Sequence, residues 1–239
     1  MVIDRPPVNV LNIEAMEEMN RALAELAEDR GLKVLVIAAK GKGFSAGVDV
    51  ADHTEDRVGM MLCQFHGLFS KLLSLEAATV ASVHGFALGG GLELIILCDF
   101  IVAAEGTKFG QPEIKVGVFP PVSAVLLPRL IGDKWASEIL LTGESIDARR
   151  AYELGLVNRV VPPDKLEEET EALVKRLMDK SPVVLRLTKK AMLAARGFDF
   201  ESALLRVEDI YSKELMASHD AREGLTAFME KRGPVWKGK

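Results

Sequence analysis

Two glutamates are the residues of this sequence whose types and surroundings could do acid–base chemistry. Glu93 follows a run of three glycines that begins at Gly89, and Glu113 ends the tripeptide Gln111-Pro-Glu. A positioned carboxyl group typically contributes about 10²–10⁴-fold to a rate as a general acid or base. We expect two carboxyls beside one apolar pocket to have pKa values that are pushed apart, which suits one acid and one base. Taken alone, either glutamate could equally be a surface or capping residue.

The three glycines lie between an apolar run typical of a strand, residues 78–83, and one typical of a helix, residues 92–98. Glycine lets a backbone approach a ligand without a Cβ in the way. The first N–H groups of a helix have no partner in the helix and suit negative charge on oxygen. A structural elbow is the alternative. A nucleotide loop is disfavoured because no Lys-Ser/Thr pair follows the glycines.

A second turn could supply the other half of an anion-binding site. The segment Lys42-Gly-Phe-Ser-Ala-Gly-Val-Asp49 follows the apolar run at residues 34–39. The backbone N–H groups of Val48 and Gly90 would then converge on one oxygen. Two such donors form an oxyanion hole for a thioester or ester carbonyl, and the loss of one donor typically raises the barrier by ~3 kcal/mol.

These segments resemble the crotonase superfamily of enoyl-CoA hydratases and isomerases, and the resemblance covers nearly the whole chain. It is carried by Phe44-Ser-Ala-Gly-Val-Asp49, His84-Gly-Phe-Ala-Leu-Gly-Gly-Gly-Leu-Glu-Leu94, Cys98-Asp99, Phe109-Gly-Gln-Pro-Glu113, Leu141-Thr-Gly143, Ala151-Tyr-Glu-Leu-Gly-Leu-Val157 and Ala227-Phe-Met-Glu-Lys-Arg232. The resemblance implies an α/β fold, a crotonase-like spiral of ββα units with a C-terminal helical region. It also implies a homotrimer or a dimer of trimers.

The resemblance implies a role for each motif residue. The substrate would be an acyl-CoA thioester, with coenzyme A as part of the substrate, no separate cofactor and no metal. Glu113 would protonate the α-carbon, Glu93 would hold and activate water, and Val48 and Gly90 would form the oxyanion hole. Further residues implied to contact the substrate or its CoA are Ser45, Ala46, Asp49, Gly89, Phe119, Pro120 and Lys231.

The loop after Glu113 departs from the pattern of many family hydratases. Val116-Gly-Val-Phe-Pro-Pro-Val-Ser-Ala124 stands where they have Gly-x-x-Pro-Gly-x-Gly-Gly-Thr. Two prolines stiffen the loop, and Phe119 and Val122 would add bulk beside Glu113. The Phe-Pro-Pro pattern, with Ser-Ala-Gly-Val-Asp, is similar to the hydratases of cyclohexa-1,5-diene-1-carbonyl-CoA in anaerobic aromatic degradation. The alternative is a loop variant of a straight-chain enoyl-CoA hydratase.

Three other function classes stay open. A double-bond isomerase could work with one carboxylate, and a thioester hydrolase would release free CoA. An RNA-binding relative without enzymatic activity would need a basic surface with aromatic residues. The formal net charge of −5 and the 6% aromatic residues argue against that relative. We therefore expect an enzyme, and the presence of both carboxylates favours a hydratase.

Length and composition predict a folded protein outside the membrane. The chain has 239 residues, of which 49% are hydrophobic, and its mean hydropathy is +0.15. No apolar run approaches the ~20 residues that a membrane span needs. With only Cys63 and Cys98 as cysteines, no disulfide framework is implied and a cytoplasmic location is the simplest expectation. His53, His66 and His219 lack the spacing of a metal site.

Apolar spacing predicts the elements that would position these residues. Asn12 would cap a helix that ends at Gly31, and residues 34–39 form a strand buried on both faces. Helices are further predicted at 57–73, at 122–130 with Pro128 inside, and at 148–154. Strands follow at 100–104 and 157–161, and the chain is helical from residue 164.

The shift to a purely helical pattern predicts a ββα core at residues 1–180 and a helical region at residues 181–239. That second region would serve as a lid or an oligomerisation arm. One departure from the family stands at the front of the chain, where Met1 precedes Arg5-Pro-Pro by only four positions. Either the chain starts late or the first strand of the family is absent, which concerns the edge of the sheet and not the active site.

Overall fold

The computed structural model describes residues 1–239, and strands and helices alternate through most of them. The strands are β1 (Val2–Ile3), β2 (Val34–Ala39), β3 (Ala78–Val83), β4 (Phe86–Leu88), β5 (Phe100–Ala104), β6 (Lys108–Gly110), β7 (Ser145–Asp147) and β8 (Arg159–Val161). The helices are α1 (Ile13–Glu28), α2 (Val58–Ser74), α3 (Gly90–Ile95), α4 (Pro121–Ile131), α5 (Asp133–Thr142), α6 (Ala148–Glu153), α7 (Leu166–Met178), α8 (Pro182–Ala194), α9 (Phe200–Asp209) and α10 (His219–Met229). Short 3-10 helices lie at Val50–Asp52, Pro112–Val116 and Pro163–Lys165, and a π-helix lies at Ile210–Leu215.

The main sheet has five strands in the order β1-β2-β3-β5-β8. The pairs β1–β2, β3–β5 and β5–β8 are parallel. Every residue of β3, in the middle of the sheet, is buried, as expected for a parallel strand covered on both faces. The predicted α/β class is confirmed.

At the front of this sheet, one expectation was wrong and one open alternative is decided. In β2, Leu35 and Ile37 are buried, but the residues between them are only half-buried, because β2 lies next to the edge of the sheet. The first strand is also present. Val2 and Ile3 form β1 and pair in parallel with Ala38 and Ala39. A strand of two residues is too short to be recognised from an alternating pattern in the sequence.

A second sheet of three short strands, β4-β6-β7, was not predicted. β4 and β6 are parallel, and β7 joins β6 in antiparallel orientation. Each of these strands has three residues, too few for an alternating pattern to be recognised. This sheet matters most for the site, because the glycine run follows β4 and the Gln-Pro-Glu segment follows β6.

Helix ends follow the polar and proline residues of the sequence. The Asn12 side chain accepts a hydrogen bond from Ala15 N at the start of α1. Asp147 caps α6 by accepting from Arg150 N. Ser181 caps α8, which has Pro182 in its first turn, where a missing N–H is tolerated. Pro128 lies inside α4, but the helix continues to Ile131.

The chain folds into two compact units. The first comprises residues 1–30, 35–75 and 79–172, and the second comprises residues 31–34, 76–78 and 173–239. Within the second unit, Val183, Leu187 and Ile210 form a buried apolar cluster, with Ala191, Ala194 and Leu215 packed against it. The division into residues 1–180 and 181–239 stays a prediction.

The end of the chain is held within the second unit by one buried carboxylate. Asp220 accepts hydrogen bonds from Ser181 Oγ at 2.6 Å, Lys237 N at 2.8 Å and Gly238 N at 3.0 Å. Burial opposes ionisation, but these bonds outweigh it and lower the pKa of Asp220 to about 2. The carboxylate therefore stabilises the fold in its charged form.

We expect Asp220→Asn to lower the free energy of unfolding by about 1.5–3 kcal/mol near neutral pH, the usual value of hydrogen bonds to a charged group. A depressed pKa contributes stability above the unfolded value of ~4, and that stability is lost as the pH falls towards 2. The difference between wild type and variant, measured by urea unfolding, should therefore shrink over that range. The exposed Asp209→Asn is the matched control and should change little. An equal loss in both variants would contradict this role.

Candidate active site

The two glutamate-bearing segments leave the small sheet at the same edge. In the parallel pair β4–β6, Leu88 lies opposite Gly110. The next residue, Gly89, donates its N–H to Gly110 O at 2.9 Å. Because parallel strands end on the same side, the turn before α3 and the segment from Gln111 to Glu113 start next to each other.

Gly89 brings the Glu113 carboxyl against the backbone. Its φ of 52° and ψ of −131° lie in a region open to glycine and strained for other residues. A methyl group added at Gly89 would lie 2.5 Å from Glu113 Oε1. Glycine is therefore required here both for the turn and for the space that the carboxyl occupies.

The second turn, Phe44-Ser-Ala-Gly-Val48, lies beside the start of α3. Phe44 N donates to Phe86 O at 2.8 Å, and Leu88 N donates to Ser45 O at 3.0 Å. Gly47 has a φ of 105°, and a methyl group there would lie 3.2 Å from Gly90 N. The two turns are thus held together by backbone hydrogen bonds, with no side chain between them at Gly47.

The backbone N–H groups of Val48 and Gly90 both lack an acceptor within the protein, whereas those of Gly47, Asp49 and Gly89 each donate to one. The N–H of Gly90 is at the first position of α3, where no intrahelical acceptor exists. A methyl group on Gly90 would meet Val48 Cγ2 at 2.7 Å and Phe65 Cζ at 2.8 Å. Two N–H groups with no partner, next to an apolar ring, can donate hydrogen bonds to a carbonyl oxygen that develops negative charge.

Glu93 lies in the first turn of α3 and is 2% exposed. Its Oε1 accepts a hydrogen bond from Ser123 N at 2.8 Å. Burial raises the pKa of Glu93 to about 7, and the nearby charge of Glu113 adds to the rise, while the backbone of Ser123 and Val122 opposes it. Glu93 is therefore close to half-protonated near neutral pH.

Glu113 lies on the 3-10 helix Pro112–Val116 and is half-buried. Burial raises the pKa of Glu113 to about 7 as well. Desolvation is the largest cause of the rise for both carboxyls, and the separation of the two pKa values stays a prediction. Coupled groups of this kind titrate as a pair, so that close to neutral pH the pair holds about one proton.

Gln111 and Ser123 connect the two glutamates and were not identified as site residues from the sequence. Both are fully buried. When its amide donates towards Glu113, Gln111 Nε2 lies 3.1 Å from Oε1 and 3.0 Å from Oε2, and the amide oxygen accepts from Ser123 Oγ. A chain of hydrogen bonds therefore runs from Glu93 through Ser123 and Gln111 to Glu113. The only feature of the sequence that could have indicated this connection was the polar Gln111, two residues before Glu113.

The remaining sequence-predicted residues have different surroundings. Ser45 is fully buried, and its hydroxyl donates to Asn9 O and accepts from Gly47 N, so that it holds the turn. Ala46 N donates to Val8 O, and Asp49 caps the 3-10 helix Val50–Asp52.

Phe119 is 69% exposed, whereas the following Pro120 is buried. Lys231 belongs to the second unit, where it is exposed just after α10 and has a φ of 55°. Contacts of all these residues with a substrate stay predictions.

No group of three or more His, Cys, Asp or Glu side chains is arranged to hold a metal ion. None of the helices combines the length and the apolar character needed to cross a membrane.

The family model described as enoyl-CoA hydratase/isomerase matches residues 1–239. The chain belongs to this family. It is 36% identical over 240 residues to the cyclohexa-1,5-dienecarbonyl-CoA hydratase of Thauera aromatica, covering 98% of this chain and 91% of that protein. It is also 36% identical over 239 residues to the crotonyl-CoA hydratase of Syntrophomonas wolfei, covering 97% and 91%.

The crystal structure of an enoyl-CoA hydratase from Bacillus anthracis superposes with a TM-score of 0.92 at 32% identity, covering 100% of this chain and 96% of that one. The crotonase-like α/β fold that the sequence predicts is therefore confirmed.

We expect Gly89→Ala to destabilise the protein more than a glycine substitution that only strains the backbone. The added methyl group would displace Glu113, and the left-handed conformation adds about 1–2 kcal/mol. Gly155→Ala is the matched control, because Gly155 also has a positive φ but an added methyl group meets nothing within 4 Å. Urea unfolding of both variants measures the difference. Equal losses would contradict the prediction and show that the Glu113 side chain moves aside without a cost in stability.

Proposed function

We propose that this protein adds water across the conjugated double bond of an enoyl-CoA or dienoyl-CoA thioester. One observation carries the proposal: two carboxyls with raised pKa values lie beside two backbone N–H groups that have no partner. Hydration needs a base, an acid and a stabilised oxyanion in one place, and this arrangement supplies all three.

The thioester carbonyl oxygen would accept hydrogen bonds from Val48 N–H and Gly90 N–H. These bonds strengthen as the oxygen becomes an enolate oxygen, and each is worth ~3 kcal/mol in the barrier. Polarisation of the carbonyl makes the β-carbon of the conjugated double bond electrophilic. The helix start at Gly90 adds a favourable dipole.

The two glutamates would divide the proton transfers. Ionised Glu93 takes a proton from water while the water oxygen bonds to the β-carbon. Protonated Glu113 gives its proton to the α-carbon as the enolate collapses to the thioester. The pair thus begins and ends with one proton between its two carboxyls, which matches two groups with pKa values of about 7. No cofactor takes part, since coenzyme A belongs to the substrate.

The acyl group is the finer part of the proposal. Relatives at the same identity of 36% are named for a cyclic diene and for crotonyl-CoA. The Phe119-Pro-Pro loop favours the cyclic diene, because its prolines and apolar side chains replace a flexible glycine-rich segment beside Glu113. Assembly as a homotrimer or a dimer of trimers, and a cytoplasmic location, stay predictions from the resemblance.

The first experiment follows the mass of crotonyl-CoA and of cyclohexa-1,5-diene-1-carbonyl-CoA during incubation with the purified protein. A gain of one water, about 18 Da, on the cyclic diene with little on crotonyl-CoA would support the cyclic-diene assignment. Rapid hydration of crotonyl-CoA would instead support a general enoyl-CoA hydratase. If neither substrate gained the mass of one water, the result would count against a hydratase. Release of free CoA would indicate a hydrolase.

Substitution of each glutamate by glutamine distinguishes a hydratase from an isomerase. Glu93→Gln and Glu113→Gln should each lower kcat for hydration by about 10²–10⁴-fold, the usual contribution of a general acid or base. Glu144→Gln, at an exposed glutamate of the first unit, is the control and should leave kcat unchanged. If Glu93→Gln abolished hydration but spared a shift of the double bond, the isomerase would be the better assignment.

The raised pKa values predict a narrow pH optimum near 7 for kcat/KM. Below the optimum both carboxyls are protonated and no base is available. Above it both are ionised and no acid is available, so the rate falls on each side. The profile for the preferred substrate tests this, and a flat rate from pH 5 to pH 9 would rule out the shared-proton pair.

A further inference from the structure

Asn9 lies in the segment that precedes α1 and has an unusual backbone conformation. Its φ is 53°, and Lys231 is the other non-glycine residue with a positive φ. Asparagine tolerates the left-handed region better than most residues, but such a conformation persists only where the surrounding structure holds it. Asn9 is also buried, with 2% of its surface exposed. The contacts of its side chain therefore have to offset the cost of this conformation.

The Asn9 amide is hydrogen-bonded to backbone groups of two loops. Its Oδ1 accepts from Arg5 N at 2.7 Å, and its Nδ2 donates to Lys40 O at 2.7 Å and to Gly43 O at 2.9 Å. Because these partners are one N–H and two carbonyl oxygens, a single orientation of the amide satisfies them. The side chain thus ties the segment before α1 to both ends of the turn that follows β2.

The backbone of the same segment holds the turn that carries Val48. Asn9 O accepts from Ser45 Oγ at 2.7 Å, and Ser45 Oγ accepts from Gly47 N at 3.1 Å. Two residues after Asn9, Leu11 N donates to Gly47 O at 2.9 Å. Gly47 is therefore held at both its N–H and its C=O. These bonds matter because a glycine has no side chain to limit its backbone rotation.

The bond from Leu11 N decides the direction of the Val48 N–H group. Gly47 C=O and Val48 N–H belong to one planar trans peptide, so they point in opposite directions. Because Gly47 O faces Leu11 N, Val48 N–H points away from Leu11. On the other side of Val48, Asp49 N donates to Leu11 O at 3.0 Å. The N–H group without a partner is thus aimed by the segment that contains Asn9.

We propose that Asn9 is a positioning residue for the oxyanion hole, because its amide fixes the segment that aims Val48 N–H at the thioester oxygen. This inference rests on the proposed function, in which that oxygen accepts from Val48 N–H and Gly90 N–H. A donor stabilises the enolate only if it points to the place where the negative charge develops. Asn9 acts through the backbone alone and takes no part in proton transfer.

The first variant is Asn9→Gly. Glycine adopts a φ of 53° without strain, so this change removes the three bonds of the amide and keeps the conformation accessible. Without these bonds, Val48 N–H should lose its fixed direction. We expect kcat for the preferred substrate to fall by about 10²-fold, the lower end of what the loss of one oxyanion donor costs, with KM changed much less.

An infrared measurement separates this role from a general loss of structure. The probe is butyryl-CoA labelled with ¹³C at the thioester carbonyl, which has no double bond to hydrate. In wild type, two hydrogen bonds should move the carbonyl band of the bound thioester to lower frequency than in free butyryl-CoA. In Asn9→Gly, only the part of that shift due to Gly90 N–H should remain. A folded Asn9→Gly with the carbonyl band of wild type would overturn the proposal.

Asn20→Ala is the matched control. Asn20 is a buried asparagine of α1, whose amide donates to Gln64 O at 2.8 Å and accepts from Lys71 Nζ at 3.0 Å. Its substitution removes bonds of the same kind elsewhere in the first unit. This variant should keep both the kcat and the carbonyl band of wild type, and a change equal to that in Asn9→Gly would also overturn the proposal.

If Asn9→Gly does not fold, Ser45→Ala provides the test, because it keeps the Asn9 amide and breaks only the link from Asn9 O to Gly47 N. The carbonyl shift should be smaller than in wild type, and an unchanged shift would contradict the role of Asn9. If the wild type itself gives no shift, no oxyanion hole forms and the proposed function fails. If the wild type shifts the band and hydrates an enoyl-CoA while the variants match it, the role of Asn9 fails and the hydratase stands.

Discussion

The close approach of two backbones at Gly89 and Gly110 is the contact on which the site depends. A single hydrogen bond of 2.9 Å joins them where the parallel strands β4 and β6 end. This contact determines where the two glutamate-bearing segments begin. α3 starts one residue later and carries Glu93, and the other segment delivers Glu113 into the space that a side chain at Gly89 would fill. The two N–H groups without a partner and the backbone positions of both glutamates are thus fixed by main-chain geometry.

Burying two carboxyls in one place has an electrostatic cost that the surroundings reduce only in part. Each carboxyl loses hydration, and Glu93 also feels the charge of Glu113, so that the pKa of each carboxyl is raised to about 7. The donors that oppose this rise are backbone N–H groups, those of Val122 and Ser123 at the start of α4 for Glu93 and that of Glu113 itself for Glu113, and none of them is a cation. A cation would make both groups permanent anions. Neutral donors leave them able to exchange protons near physiological pH.

The sequence predicted the long elements well and the short ones poorly. Apolar runs predicted the bounds of β2 and β3. Caps, glycines and apolar positions predicted the course of α2 and α6. β4, β6 and β7 have three residues each, and no pattern distinguishes such strands from loops. Both glutamates and the two glycine turns could be named through motifs. The Ser123 hydroxyl could not be identified in this way, because only the folded position of α4 brings it next to Gln111.

The start of α4 has a consequence for how this enzyme could acquire new substrates. Pro120 and Pro121 fix where the helix begins, and therefore where Ser123 N–H meets Glu93. The exposed Phe119 lies directly before this stretch of chain. If the proposed acyl pocket includes Phe119, a mutation that reshapes it there also moves the backbone that supports Glu93. Substrate range and turnover would then be encoded in one segment, so that divergence in the first would require compensating changes in the second.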